Sequence, residues 1–163
     1  MNTFTKLRND ANKANYFGFP SISAMTRAEI EIMDKAREFY PYIPAVVDYK
    51  ESTRELTVEK VEGEHIEDYA LRTKDFSILQ KLKDIFALFR KQEVELTHRY
   101  TDHYKKGFIC YHDYDSTNFI VDSKGNIWLV DWDTAGLYPT SRLPDDNQEV
   151  KDLYRVVFKC LMK

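Results

Sequence analysis

Two apolar runs, Phe119-Ile-Val121 and Ile127-Trp-Leu-Val130, flank the turn-forming string Asp122-Ser-Lys-Gly-Asn126. Side chains that alternate across a pleat on both sides of an Asp/Gly/Asn turn specify a β-hairpin, and they leave this part of the chain few other choices. Phe108-Ile-Cys-Tyr111 is a third run rich in β-branched and aromatic residues, so three short strands are expected here. Their polar flanks are Asp113, Asn118 and Asp131. Carboxylates and a carboxamide at the rim of a sheet offer the oxygen ligands that a hard cation such as magnesium takes.

The remaining segments mix both kinds of element. Thr26-Arg-Ala-Glu-Ile-Glu-Ile-Met-Asp-Lys-Ala36 has the spacing of an amphipathic helix. Residues 75–96 carry Phe76, Leu79, Leu82, Ile85, Phe86 and Phe89 three and four apart, which predicts a long helix with one buried stripe. Thr3-Phe-Thr-Lys-Leu7 and Ile43-Pro-Ala-Val-Val-Asp-Tyr49 are read as strands, the string from Arg54 to Gly63 as a strand and a hinge after it, and residues 147–161 as a terminal helix. The clearest breaks are 51–54, 101–107 and 139–146, and no internal repeat or low-complexity segment interrupts the chain. The expected class is α+β.

At 163 residues, 43% hydrophobic and 14% aromatic, the chain can bury a sizeable core, and a single domain over 1–163 is the expectation. A net charge of −3 provides no broad basic surface for nucleic acid. No run of 18 apolar residues suggests a membrane span, and no basic segment leading into an apolar core suggests a signal peptide. Cys110 and Cys160 read as reduced core residues of a cytoplasmic protein.

Asp113 and Asn118 are five positions apart, and Asp131 follows thirteen positions later, after the hairpin. This spacing resembles the catalytic and metal-binding loops of the kinase fold. The wording is most similar to the aminoglycoside phosphotransferase and choline kinase-like branch, whose pattern is His-Gly-Asp, four residues, Asn, a strand, then Ile-Asp-Trp-Glu/Asp with Ala-Gly and Pro following. Asp131-Trp-Asp-Thr-Ala-Gly-Leu-Tyr-Pro139 matches the second half. In the first half Tyr111 stands where the family has His, and His112 where it has Gly. Protein kinases usually carry Lys two residues after the catalytic Asp; Asp115 in that place favours the small-molecule branch.

The resemblance implies a minimal two-lobed fold, a small antiparallel sheet lobe over 1–62 and a shortened helical lobe over 63–163 carrying the catalytic-loop hairpin. It implies ATP- and Mg2+-dependent transfer of the γ-phosphoryl group to a hydroxyl of a small molecule. Asp113 would orient and deprotonate that hydroxyl, Asn118 and Asp131 would hold magnesium, and backbone groups from Glu59 to Val61 would meet adenine. Glu29 would pair with the phosphate-aligning lysine, for which Lys6 is preferred to Lys13, the latter lying in Asn-rich sequence read as a loop. The five glycines form nothing like the GxGxxG cover of a kinase, so the resemblance is to a family member truncated at both ends. A homodimer or partner chain covering exposed sheet edges is compatible with that truncation.

Each assignment has a plainer competitor. An Asp at a strand end is often a turn former or helix cap, Glu29 also fits a capping box with Thr26, Lys6 fits a solvated strand lysine, and His112 a structural contact. Three other functions stay open: a pseudokinase acting as a nucleotide-binding or regulatory module, a protein Ser/Thr kinase, and a metal-dependent hydrolase built on His112 and Asp113.

Overall fold

The computed structural model describes residues 2–97, 105–111 and 116–139, together with Arg155. They form a mixed α+β arrangement of small antiparallel sheets and helices. The first sheet has the order β1-β3-β2, with β1 at Thr3–Leu7, β2 at Val46–Lys50 and β3 at Glu55–Glu59. β3 is central because its alternating Leu56 and Val58 are the buried pair of the sheet. Phe4 lies opposite Val58 and Lys6 opposite Leu56, so Phe4 and Lys6 share the inner face with these two buried residues. Arg8 continues the run, its N–H donating to the carbonyl of Arg54 at 2.9 Å.

Helix α1 (Ala11–Tyr16) and helix α2 (Ile22–Phe39) lie between β1 and β2. α1 corrects the loop expected around Lys13: the Asp10 carboxylate accepts from the Lys13 N–H at 2.9 Å and caps the turn. α2 starts earlier than the string 26–36 suggested, because Ser21 is the N-cap and its hydroxyl accepts from the Ala24 N–H at 3.0 Å. Thr26 is therefore inside the helix, its hydroxyl donating to the Ile22 carbonyl at 3.0 Å, and the capping box with Glu29 does not form. Ile22, Thr26, Glu29, Met33 and Ala36 make the buried stripe, flanked by Ala28 and Ile32.

After Gly63, strand β4 (Glu64–His65) runs into helix α3 (Ile66–Thr73), and helix α4 covers Ser77–Leu88. The helix expected over 75–96 is shorter. Past Leu88 the period changes from helical to alternating, with Val94 and Leu96 buried and Glu95 exposed, and Val94–Glu95 becomes β5, paired with β6 at Lys106–Cys110. The hairpin appears as expected: a 3₁₀ turn at Ser116–Asn118 leads into β7 (Phe119–Val121), antiparallel to β8 (Ile127–Leu129). Asp122 organises its turn by accepting from the N–H groups of Lys124 and Asn126, both at 2.9 Å, and Gly125 supplies a φ of 81°. β9 (Gly136–Tyr138), which the sequence reading missed, pairs with β6.

One hydrophobic cluster joins these pieces, running from Ala28, Ile32 and Ala36 of α2 through Leu56 and Val58 to Leu82, Phe86, Tyr111, Phe119, Leu129 and Trp132. Each of its large side chains contributes about 1.5–3 kcal/mol by leaving water. Cys110 is buried. Among the described residues no helix is long and apolar enough to cross a membrane. The terminal helix expected over 147–161 lies outside them except for Arg155, which is helical and exposed.

Candidate functional site

A cleft of about 750 Å³ opens where the β1-β3-β2 sheet meets the β7–β8 hairpin. Lys6, Glu59, Val61, Asn118 and Asp131, five of the seven residues selected from the sequence, line it. Glu29 lies behind Arg8, itself a lining residue. Asp113 and the neighbouring His112 and Asp115 fall outside the described residues.

The hairpin aims the metal-ligand candidates. Asn118 closes the 3₁₀ turn ahead of β7 and is buried; its carbonyl accepts from the Val130 N–H at 3.0 Å. Asp131 follows directly with a φ of 63°, a left-handed conformation that non-glycine residues adopt at a cost of about 1–2 kcal/mol. Strain of this kind persists where surrounding contacts over-determine it. Here Tyr111 supplies one: its hydroxyl donates to the Val130 carbonyl just before Asp131. Its ring stands edge-on to buried Trp132 at 4.9 Å between centroids.

Three cations meet three carboxylates where the cleft adjoins a smaller pocket lined by Arg8, Lys13, Glu29 and Asp133. Arg8 Nε and Nη2 donate to the two oxygens of Glu29 at 3.0 and 2.7 Å, a bidentate pair. Arg8 Nη2 also lies 3.8 Å from Asp131 Oδ1, and Lys6 Nζ lies 3.7 Å from the same oxygen. Lys13 Nζ donates to Asp133 Oδ2 at 3.1 Å. The expected pair of Glu29 with Lys6 or Lys13 is thus replaced by Glu29 with Arg8, while the two lysines serve Asp131 and Asp133. The cause is strand parity: Phe4, Lys6 and Arg8 occupy one face at two-residue intervals, and Arg8 is the member that reaches α2. Extending the alternation of 3–7 by one residue would have brought Arg8 into consideration.

The electrostatics follow from burial and pairing. Burial raises the Glu29 carboxyl above its ordinary value, against the pull of Arg8. Asp131 is also raised, first by burial and then by the charge of Asp133, with Lys6 and Arg8 opposing. Burial pushes Asp133 the same way, but the hydrogen bond and charge of Lys13 outweigh it and hold that carboxyl below the ordinary range.

Asp131 and Asn118 give a carboxylate and a carboxamide oxygen on one cleft, the hard donor chemistry that suits magnesium. Among the described residues no group of three or more His, Cys, Asp or Glu could hold a metal alone. Toward the start of β1, Phe4 and Val58 add apolar wall beside Glu59, and Pro44, Val61, Ile120 and Val130 also line the cleft. Compared with models of known protein families and with curated proteins, the sequence gives no match.

Proposed function

We propose that this protein is an ATP- and Mg2+-dependent phosphotransferase that moves the γ-phosphoryl group to a hydroxyl of a small molecule, on a kinase-like fold. The observation that carries the reading is a single cleft joining an apolar end, beside Glu59 and Val61, to an end where Lys6, Arg8, Asn118 and Asp131 converge. The strand order β1-β3-β2, with Glu29 delivered from α2 onto Arg8 just past the end of β1, supports the same reading.

In this mechanism the acceptor oxygen forms a bond to the γ-phosphorus, the bond from that phosphorus to the β,γ-bridging oxygen breaks, and ADP leaves. Asp113, assigned from the sequence, takes the hydroxyl proton. Asn118 and Asp131 would hold magnesium, which would supply positive charge to offset that of the phosphates. Lys6 and Arg8 bind phosphate oxygens, and Glu29 keeps the Arg8 guanidinium oriented. Catalysis of this kind is positioning and charge neutralisation. The acceptor is a small hydroxyl compound, and the compartment is the cytoplasm.

A second reading is favoured by the two cations already on Asp131: a pseudokinase that binds nucleotide and does not transfer it. Thermal unfolding with ATP, with and without magnesium, tests both for the native chain, Asp131→Ala and Asp131→Asn. Both readings expect a magnesium-dependent rise in the native chain that the variants lose. Asn tolerates the left-handed backbone, so its loss of the rise reports on the carboxylate. ATP turnover in an acceptor screen, abolished in Asp113→Ala, separates the transferase from the binding module. No rise at saturating nucleotide refutes the ATP reading altogether.

A further inference from the structure

We infer that the outer edge of β1 is a dimer interface, where two copies of this chain join strand to strand, antiparallel, about a two-fold axis at Thr5. Among the described residues β1 pairs only with β3. The parity of that pairing decides which backbone groups are left over. The Arg8 N–H donates to the Arg54 carbonyl and the Lys60 N–H to the Asn2 carbonyl, both at 2.9 Å, so Asn2, Phe4, Lys6 and Arg8 direct their backbone groups toward β3. The hydroxyls of Thr5 and Thr57, 3.0 Å apart, fit the closely spaced pairs in between. The N–H and C=O groups of Thr3, Thr5 and Leu7 therefore point away from the sheet and form a template for another strand.

Edges are guarded against such pairing by charge, proline or a bulge. At the opposite edge β2 is guarded: its register shifts between Val46 and Asp48, and Asp48 and Lys50 are exposed. β1 keeps an unbroken register with β3 and contains no proline. Its charged residue, Lys6, is drawn inward to Asp131 at 3.7 Å. What β1 displays is apolar, Phe4 on one face and Leu7 on the other, 51% and 59% exposed.

The strand fits a second copy of itself. In a closed two-fold interface a residue and its counterpart exchange roles across the axis. With the axis at Thr5, Thr3 lies opposite Leu7, Thr5 opposite Thr5 and Phe4 opposite Lys6. The outward groups of Thr3, Thr5 and Leu7 then all find partners, Leu7 lies against the Thr3 methyl group, and each Lys6 faces an aromatic ring rather than its own image. Lys6 Nζ already stands 5.9 Å from the centroid of the Phe4 ring in its own strand. Sliding one copy by two residues sets Lys6 opposite Lys6 in one direction and leaves Leu7 without a strand partner in the other. The joined sheet carries both clefts on one face, and Phe4 of each copy borders the cleft residue Lys6 of the other. This pairing needs no nucleotide, so it stands apart from the phosphotransferase reading.

Sedimentation velocity of the full chain from about 1 to about 500 µM, with amide exchange followed by NMR at both extremes, tests this. A short strand pair is a small interface, so the native chain should pass from monomer to dimer across that range. The Thr3, Thr5 and Leu7 amides should exchange about tenfold more slowly in the dimer, whereas those of Lys6 and Arg8, already bonded to β3, should change little. Thr5→Lys and Thr5→Glu each set like charges face to face at the axis and should weaken association about tenfold or more, while an equimolar mixture of the two should dimerise again. Thr5 is exposed, so circular dichroism and melting of the dilute variants should match the native chain.

A native chain that stays monomeric at about 500 µM overturns the inference. So does a dimer whose Thr3, Thr5 and Leu7 amides exchange as they do in the monomer, or one that Thr5→Lys leaves intact, since another surface then joins the copies. Loss of association in both variants without recovery in the mixture overturns the two-fold register at Thr5.

Discussion

Truncating Arg8 to Ala should cost this protein more than its place next to a strand end suggests, and the cost should depend on pH. Arg8 and Glu29 side chains are 15% and 7% exposed and share two hydrogen bonds. Removing one partner of a buried pair leaves the other charge desolvated and unpaired, which costs about 3–5 kcal/mol. For a domain of this length that corresponds to a fall in Tm of about 10 °C. Glu29 can escape part of the penalty by taking up a proton. Its carboxyl already sits above the ordinary value through burial, with Arg8 and, less strongly, Lys6 pulling the other way; without Arg8 the burial effect loses its largest opposition.

The sign of the pH dependence follows. A carboxyl raised in the folded state holds its proton to a higher pH than in the unfolded chain. The variant's stability is therefore fullest below the unfolded value and falls as pH rises through the folded one, by up to about 1.4 kcal/mol per unit. Urea unfolding at about pH 5 and about pH 8 should show the penalty of Arg8→Ala increasing with pH. Replacing both residues by Met should recover most of the loss, since an apolar pair of similar volume leaves no unpaired charge. A penalty under about 1 kcal/mol at the higher pH, or one that is flat with pH, would refute the reasoning, because Glu29 would then have found solvent or another partner.

Three further outcomes can be checked on the same preparation. Tyr111→Phe removes the hydroxyl that donates to the Val130 carbonyl; urea unfolding should register about 1 kcal/mol, with a weaker magnesium-dependent shift by ATP, and an unchanged shift would mean that the hydroxyl does not help to set Asp131. Asp122→Ala deletes the acceptor of the Lys124, Asn126 and Trp128 N–H groups at a cost of about 1 kcal/mol, since the turn is partly exposed. Burial works against the Asp122 carboxylate, but these hydrogen bonds hold it below 3.8, so its contribution should be present above that pH and vanish as the folded carboxyl protonates; a difference persisting in strong acid would contradict this. Gly63→Ala sets a Cβ 2.3 Å from the Val121 carbonyl oxygen and 2.8 Å from Ile120 Cγ2, so calorimetric melting should reveal about 2–3 kcal/mol of strain, and a change below about 0.5 kcal/mol would mean that β4 can move off β7 freely.

The parts of this protein that are local in sequence were legible there. The hairpin around residues 122–126 follows from turn chemistry and period-two alternation. The cleft residues Asn118 and Asp131 sit at its ends because a strand's length dictates where its polar flanks emerge. The helix around Glu29 was equally plain from its apolar spacing, although its true start at Ser21 depended on a cap outside the inspected string.

What the tertiary structure decided is how distant segments meet. The choice of Arg8 over Lys6 as partner of Glu29 spans 21 residues, and the pair of Lys13 with Asp133 spans 120; residue types alone cannot rank such cations, because reach depends on strand parity and helix placement. The end of α4 near Leu88 was decided by β6, which takes Val94 and Glu95 as a strand and outweighs the weak local preference to continue the helix. The left-handed backbone of Asp131 is likewise imposed from outside, held among Tyr111, Asn118 and the buried Trp132. Sequence supplied the side chains of the cleft, and the packing of one continuous core determined which of them touch, because contacts between elements form only where burial of apolar surface brings those elements together.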